Sequence, residues 1–287
     1  MYEIGFSSQG KNDKGETEAA SWDWTQDLLE KKIDLITDEA GGDNALLFFT
    51  NTPRINKLLN KKRKREEKPK VDYVPNFREA VAKEKVYKGN RKNDKPFHFY
   101  NLLAHMLSNY ETRIHEGGLE ADDYMCVTQY KSWQDGDTII CSRDKDLRQC
   151  PGNHYSWEVG KQPSIGPMFV EPLGHLDLIT KIDAKGRKTY KLFGTGHKFF
   201  YAQMMTGDLV DNIGGVKGRG PVFAHTLLDE CTTERDLYEL VAEKYVIAWG
   251  DEWKDKMREQ AGLLWMVREL KEDGSPVFWK PPKRNVE

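Results

Sequence analysis

The stretch at 207–228, GDLVDNIGGVKGRGPVFAHTLL, constrains this chain more than any other. Gly214, Gly215, Gly218 and Gly220 lie between two segments of helical pattern. Glycine adopts backbone conformations closed to other residues, so a tight turn is predicted here. Without side chains in the way, backbone N–H groups can approach a phosphate closely, and the start of the next helix adds partial positive charge. Pro221 suits the first position of that helix. A helix–hairpin–helix of this kind grips duplex nucleic acid through its backbone, without reading sequence. A glycine-rich loop alone is more often a plain turn. Asp208 and Asp211, just upstream, favour the functional reading.

Those two aspartates form one of three acidic groups. The others are Glu120, Asp122 and Asp123 in GLEADDYM, at the start of a predicted helix, and Asp144 and Asp146 in CSRDKDL, after the predicted strand TIIC. Ligand sites in open parallel sheets collect beyond the carboxyl ends of strands, where the first two groups should lie. Glu120 and Asp123 are three apart, as are Asp208 and Asp211, a spacing that shares one face on helical backbone. Taken singly, each group reads as a helix-start charge, a turn or a surface cap. If they converge, two unit charges 4 Å apart cost about 4 kcal/mol at an effective dielectric near 20. Whole-protein stability is only about 5–15 kcal/mol, so protons or cations must then intervene. An all-oxygen donor set suits Mg²⁺ or Mn²⁺, and a two-ion site is the usual apparatus for in-line attack on phosphodiesters.

Charge is segregated along the chain. Residues 54–95 hold 16 Lys/Arg against 6 Asp/Glu, a balance of +10, so the remainder carries −12 in a chain of net −2. This reads either as a polyanion-facing patch beside an acidic centre or as a solvated, partly disordered basic loop. The longest apolar run, ALLFF at 45–49, is far short of a membrane span, and no signal-peptide pattern opens the chain. Cys126, Cys141, Cys150 and Cys231 show no CxxC spacing and read as reduced thiols of a cytosolic protein. The seven histidines form no zinc-ligand pair.

Helices are predicted over 22–40, ended by Gly41-Gly42, and over 97–115, 121–133, 196–206, 221–230, 233–248 and 251–271. Strands are predicted at 44–50 and 137–142, with two more at 176–193 joined around 183–186. The alternation suggests an α/β half with a parallel sheet covered on both faces, then a mostly helical half.

LEADD, SRDKDL and GDLVDNIGGVKGRG, in this order and spacing, resemble the 5′ nuclease superfamily of flap endonucleases, polymerase 5′-nuclease domains and phage 5′–3′ exonucleases, and the phage enzymes most. NFR at 76–78 and YKGNRK at 87–92 match that family's arch region. The resemblance implies a PIN-like α/β core over 1–152, with a twisted, mainly parallel sheet and a helical arch at about 69–100. It implies a mostly helical region over 153–287, with the helix–hairpin–helix at about 196–230. Glu120, Asp122 and Asp123 would hold one Mg²⁺ or Mn²⁺ ion, and Asp144, Asp146, Asp208 and Asp211 a second. Lys88 and Arg91 would meet the scissile phosphate, and Tyr87 would stack on a base. Arg78, Asn90, Lys92, Gly214, Gly215, Val216, Lys217, Gly218, Arg219 and Gly220 would contact nucleic acid, with K⁺ at the hairpin. The implied activity is metal-assisted hydrolysis of branched, flapped or 5′-ended DNA, and of RNA–DNA hybrids, in phage-type replication. It implies a monomer without membrane attachment, in the cytoplasm of an infected bacterium if phage-encoded.

Three departures qualify the resemblance. The family's first strand, ending in an Asp-Gly turn, is missing before MYEIGFSSQ. Asn51 stands where relatives often carry a second metal-binding Asp. The lysine usual after the hairpin glycines is absent, with Val222 nearest its place. The basic stretch at about 53–75 has no counterpart. An alternative is therefore a catalytically impaired protein that binds branched DNA. A toxin-like ribonuclease on the related small nuclease fold is disfavoured, since those proteins lack a duplex clamp.

Overall fold

The computed structural model describes residues 1–90, 94–182 and 184–283. The first elements are α1 (Tyr2–Ser7) and a hairpin, β1 (Gln9–Lys11) against β2 (Thr17–Ala19), which pairs with no other strand among the described residues. Helix α2 (Trp22–Ala40) starts where the Ser21 hydroxyl accepts the Trp24 N–H at 3.3 Å. It stops at Gly41, whose φ of +73° is the left-handed conformation glycine supplies without strain. Both ends match the predicted helix.

The first core is built from short strands. β3 (Leu47–Phe49) runs parallel to β4 (Thr112–Ile114). β5 (Ile139–Cys141) runs parallel to β6 (Gly152–Ser156), and β7 (Ile165–Val170) pairs antiparallel to β6. Between them in sequence come α3 (Pro53–Arg65), α4 (Phe77–Val81), α5 (Phe99–Asn109) and α6 (Ala121–Tyr130). Side chains alternate across β3, so α2 and α6 cover opposite faces. Leu47 and Phe49 join Leu29 of α2, while Phe48 packs edge-on against Tyr124 of α6 at 5.7 Å. In β5, Ile140 packs with Cys126 of α6.

One continuous parallel sheet was expected. Instead the described residues form four small sheets, because β3 and β5 do not pair with each other. The predicted helix over 97–115 also ends early, at Asn109, and its last residues become β4. A three-residue strand is too short to show a period of two in the sequence.

The rest of the chain surrounds a second core. β8 (Leu176–Ile182) and β9 (Lys188–Gly194) form an antiparallel hairpin that leads into α7 (Gly196–Thr206), α8 (Pro221–Leu228), α9 (Glu234–Trp249) and α10 (Trp253–Leu264). Helix α7 is buried nearly all round, with Phe199, Phe200, Tyr201, Met204 and Met205 packed against Leu237, Val241 and Tyr245 of α9. Pro221 does occupy the first turn of α8.

No helical arch stands over this body among the described residues of 69–100. That stretch holds only α4 before α5 begins, and it is pinned down. The Glu259 carboxylate accepts the backbone N–H groups of Lys83 and Glu84 at 2.6 and 2.8 Å. The basic stretch is ordered rather than loose. Thr52 caps α3, and Asn60 exchanges two hydrogen bonds of 2.8 Å with the backbone of Val71, folding 66–71 back along the helix.

Candidate active site

The carboxyl ends of β3 and β5 meet at the start of α6. The Ala121 N–H donates to Thr50 Oγ1 at 2.9 Å, tying the strand end to the helix that carries Glu120, Asp122 and Asp123. Ser142 Oγ accepts the Asp144 N–H at 3.1 Å, and Asp144 Oδ1 accepts the Asp146 N–H at 2.9 Å. Asp146 opens a single 3₁₀ turn, Asp146–Gln149. Asp208 and Asp211 lie in a tight turn rather than on a helix, with Asp208 and Ile213 bonded to each other through their backbones. Their spacing therefore does not work through a shared helical face, as the sequence suggested.

The structure divides the expected ligands. Asp123 is 0% exposed and forms a two-pronged pair with the equally buried Arg78, at 2.5 and 2.9 Å. Its Oδ1 also accepts the Val267 N–H at 3.0 Å. Arg78 spends its other donors on the Leu263 and Trp265 carbonyls, at 2.9 and 2.7 Å, and reaches Glu120 at 3.4 Å. This placement departs from the expectation that Arg78 contacts nucleic acid and Asp123 a metal. The pair locks α4, α6 and the segment after α10 together, away from solvent.

The other acids crowd one another. Burial, then the charges of Asp144, Glu120 and Asp123, push the Asp122 carboxyl up to about 7, against a smaller opposing pull from Lys88. Burial and Asp144 raise Asp146 to about 6, with Asp208 adding to the rise and Lys145 and Gln203 opposing it. Besides Arg78, Lys145 and Lys88 reach into the group. Lys145 Nζ lies 2.5 Å from Asp208 and 3.4 Å from Asp146, and Lys88 Nζ lies 2.5 Å from Glu120. Lys145 stands inside the DKD motif, yet the sequence reading passed over it; a lysine flanked by two aspartates was the available signal.

Tyr87 and Lys88 approach from the other side. The Tyr87 hydroxyl bridges Glu120 and Asp211 at 3.0 and 3.1 Å, so its polar end points into the acids. Burial most of all pushes its ionisation far up, so it stays a hydrogen-bond donor. The loop that carries it is stapled to the acidic turn. The Lys88 N–H donates to the Asp211 carbonyl at 3.1 Å, Asn90 to the Leu209 carbonyl at 2.8 Å, and Asn212 to the Val86 carbonyl at 3.0 Å. Lys88 and Asn212 both have left-handed backbones, with φ of +55° and +64°, and such strain concentrates at functional sites. Arg91 and Lys92 lie outside the described residues.

The glycine turn is anchored from beneath. Gly207 and Gly215 cross so closely that a Cβ on Gly215 would sit 2.3 Å from the Gly207 nitrogen. Val216 is buried in the core and its N–H donates to the Met205 carbonyl at 2.8 Å. Its side chain therefore holds the turn in place instead of facing a ligand. Gly214, Lys217, Gly218 and Gly220 are exposed, while Gly215 is buried and Arg219 half-buried over the Phe223 ring at 4.3 Å. The sequence reading also passed over the exposed apolar residues Val86, Leu209 and Val210 beside this site.

A divalent ion fits the chemistry of this donor set, since hard oxygen ligands are crowded enough to hold two carboxyls partly protonated near neutrality. The ligands are not drawn together in advance. Among the described residues no three acidic, histidine or cysteine side chains are grouped closely enough to hold an ion. No described helix is long and apolar enough to cross a membrane.

No protein-family model and no curated protein sequence matches the chain. Several solved structures resemble it. One is a bacteriophage T5 flap endonuclease in a pseudo-enzyme–product complex with DNA and metal ions, at 13% identity and a TM-score of 0.44, covering 91% of this chain and 96% of that one. A T5 protein co-crystallised with metal ions gives 11% identity and a TM-score of 0.39, covering 83% and 91%. A T5 5′-exonuclease with bound zinc ions gives 13% identity and a TM-score of 0.34, covering 77% and 100%.

Proposed function

We propose that this chain is a metal-dependent, structure-selective 5′ nuclease, acting as a 5′–3′ exonuclease and 5′-flap endonuclease on DNA, and on RNA–DNA hybrids, in phage-type replication. One observation carries the reading. Carboxylates from three distant stretches, at 120–122, 144–146 and 208–211, share one electrostatic neighbourhood and face Lys88 and Tyr87.

In this reading Asp122, Asp144, Asp146 and Asp208, with Glu120 and Asp211, hold two Mg²⁺ or Mn²⁺ ions. Bound there, the ions would neutralise charge on the phosphate and make water a stronger nucleophile. Lys88 would leave Glu120 for a phosphate oxygen, joined by Arg91. The Tyr87 hydroxyl would keep Glu120 and Asp211 oriented. Exposed backbone at Gly214, Lys217, Gly218 and Gly220 would grip the duplex, with K⁺ at the turn, and position the strand end over the acids. Asp146→Asn and Lys88→Ala are each expected to slow Mg²⁺-dependent cleavage of a 5′-flap DNA by about a hundredfold or more. Cleavage by an active parent that neither change affects would show the roles to be misassigned.

A second reading is a DNA-binding protein that has lost catalysis. It is favoured by Asn51 in place of a carboxylate and by Lys145 bridging Asp146 and Asp208. Turnover by this chain would exclude it.

A further inference from the structure

Helix α3 has two unlike faces. Ile55 and Leu58 pack into the core with Phe49 and Leu102. Lys57, Lys61 and Lys64, about one helical turn apart, are exposed on another face. The returning segment sets Lys68 and Lys70 across from them. It is held there by the Asn60–Val71 hydrogen bonds, by the Lys68 N–H on the Arg63 carbonyl at 2.9 Å, and by Arg63 Nε on the Pro69 carbonyl at 2.7 Å. Between helix and segment runs a groove of about 730 Å³, whose charged lining is those five lysines and one acid, Glu67. Among the described residues Lys57, Lys61 and Lys64 form no ion pair, whereas Lys68 pairs with Glu66 at 2.8 Å and Lys70 with Asp72 at 3.7 Å.

The groove leads toward the acids. Pro53 lines it, and the neighbouring Thr52 lines a second cavity of about 180 Å³ that also touches Tyr73, Lys88 and Glu120. On the returning segment Lys70 lines the groove, and the half-buried Tyr73, three residues on, lines the second cavity. Two buried amides mark the same path. Asn56 lines the groove, is 7% exposed and has no hydrogen-bond partner for its Oδ1. Asn51 lines the second cavity, is 5% exposed and has no partner for either side-chain atom. Buried polar groups are nearly always paired, so unpaired ones mark where a ligand's polar groups fit.

The chemistry along this path selects a ligand. Lys57 and Lys64 are about 10 Å apart along the helix, which suits charge repeated along a chain rather than one small anion. A ring follows the cations, and amides that both donate and accept lie beside them. An unpaired nucleic-acid strand answers all three, with phosphates for the lysines, an open base face for the ring, and base or sugar groups for the amides. We infer that α3 and residues 66–73 form a binding groove for one unpaired nucleic-acid strand, its phosphates along the five lysines and a base stacked on Tyr73. The basic stretch has no counterpart in the resembled family, and Tyr73, unlike Tyr87, lies in none of its motifs. That the strand continues to the acids rests on the nuclease reading; binding in the groove requires no cleavage.

The test is an anisotropy titration of a fluorescent oligothymidylate of about 20 nucleotides, longer than a single-strand site, onto the full chain in EDTA at several salt concentrations. Saturable binding by the parent is expected. Replacing Lys57, Lys61 and Lys64 together by alanine removes three phosphate contacts and should lower the slope of log affinity against log salt by about 2. These side chains are exposed, so the triple variant keeps the fold. Tyr73→Ala should weaken binding about fivefold or more without changing the slope, and Tyr73→Phe should bind as the parent does. Parental slope and affinity in both the triple variant and Tyr73→Ala would overturn the groove and leave the nuclease reading to its own cleavage test. A parent that binds no oligonucleotide would also overturn it. So would polyglutamate that competes as well as the oligonucleotide, since an acidic polypeptide would then be the occupant. Groove-dependent binding by a chain that cuts nothing would support the groove and strike the nuclease reading alone.

Discussion

Arg78→Met is expected to destabilise this protein more than any other single change in the site, by about 3–5 kcal/mol. The substitution leaves the Asp123 carboxylate buried, with only the Val267 N–H as partner, and frees the Leu263 and Trp265 carbonyls of their donor. A single buried charge without its counter-ion costs far more than the pair contributed, because the full desolvation of the ion goes uncompensated. For a chain of this size the loss corresponds to a fall in melting temperature of roughly 5–8 °C. The companion change decides the cause. Arg78→Met combined with Asp123→Leu removes both charges and should recover part of the loss, leaving the unpaired Val267 N–H and the two carbonyls as the remaining cost. A double variant no more stable than the single one would mean that Arg78 acts through packing alone.

The crowded acids give the second large effect. With divalent ions removed by EDTA, the melting temperature is expected to fall as pH rises from about 4 to about 8. Asp122 and Asp146 are held up in the folded chain, to about 7 and about 6. Below about pH 4 both are protonated in the folded and unfolded states alike, and neither costs anything. Between that point and the folded values the unfolded chain has released these protons while the folded chain retains them. Stability therefore declines with pH, and the loss is complete once pH passes the folded values. A shift of the size at Asp122 amounts to about 4 kcal/mol at most. Asp122→Asn should flatten this slope and raise the melting temperature at pH 8, whereas Mg²⁺ should flatten it in the parent only. A slope that Asp122→Asn leaves unchanged would mean that the acids do not share a site.

Much of this organisation can be read in the sequence, where local chemistry decides it. Gly41 ends α2 and Pro221 opens α8, each through turn or helix-start preferences that act over a few residues. The hairpin of β8 and β9 reads directly because its strands are seven residues each. What the sequence hides depends on distant partners. Arg78 looks like one more charge in a basic stretch, and only Leu263 and Trp265, far along the chain, make it a buried hub. Val216 looks like part of a phosphate-binding turn, and only the core beneath it reveals an anchor. The parallel sheet was read from continuous apolar runs, but pairing depends on what lies beside each strand, and β3 and β5 face a cleft. The acids stand out in the sequence by type, but nothing there shows that Asp123 turns away to Arg78, nor that Lys145, between two of them in the chain, reaches across to Asp208.

The central claim is that Asp122, Asp144, Asp146 and Asp208 together form a seat for divalent ions. Calorimetric titration of Mn²⁺ into the chain near neutral pH tests it most directly, with Asp122→Asn and Asp146→Asn as comparisons. Saturable binding that each substitution weakens sharply is the result this account expects. Absence of binding, or binding that both variants retain at full strength, would contradict it.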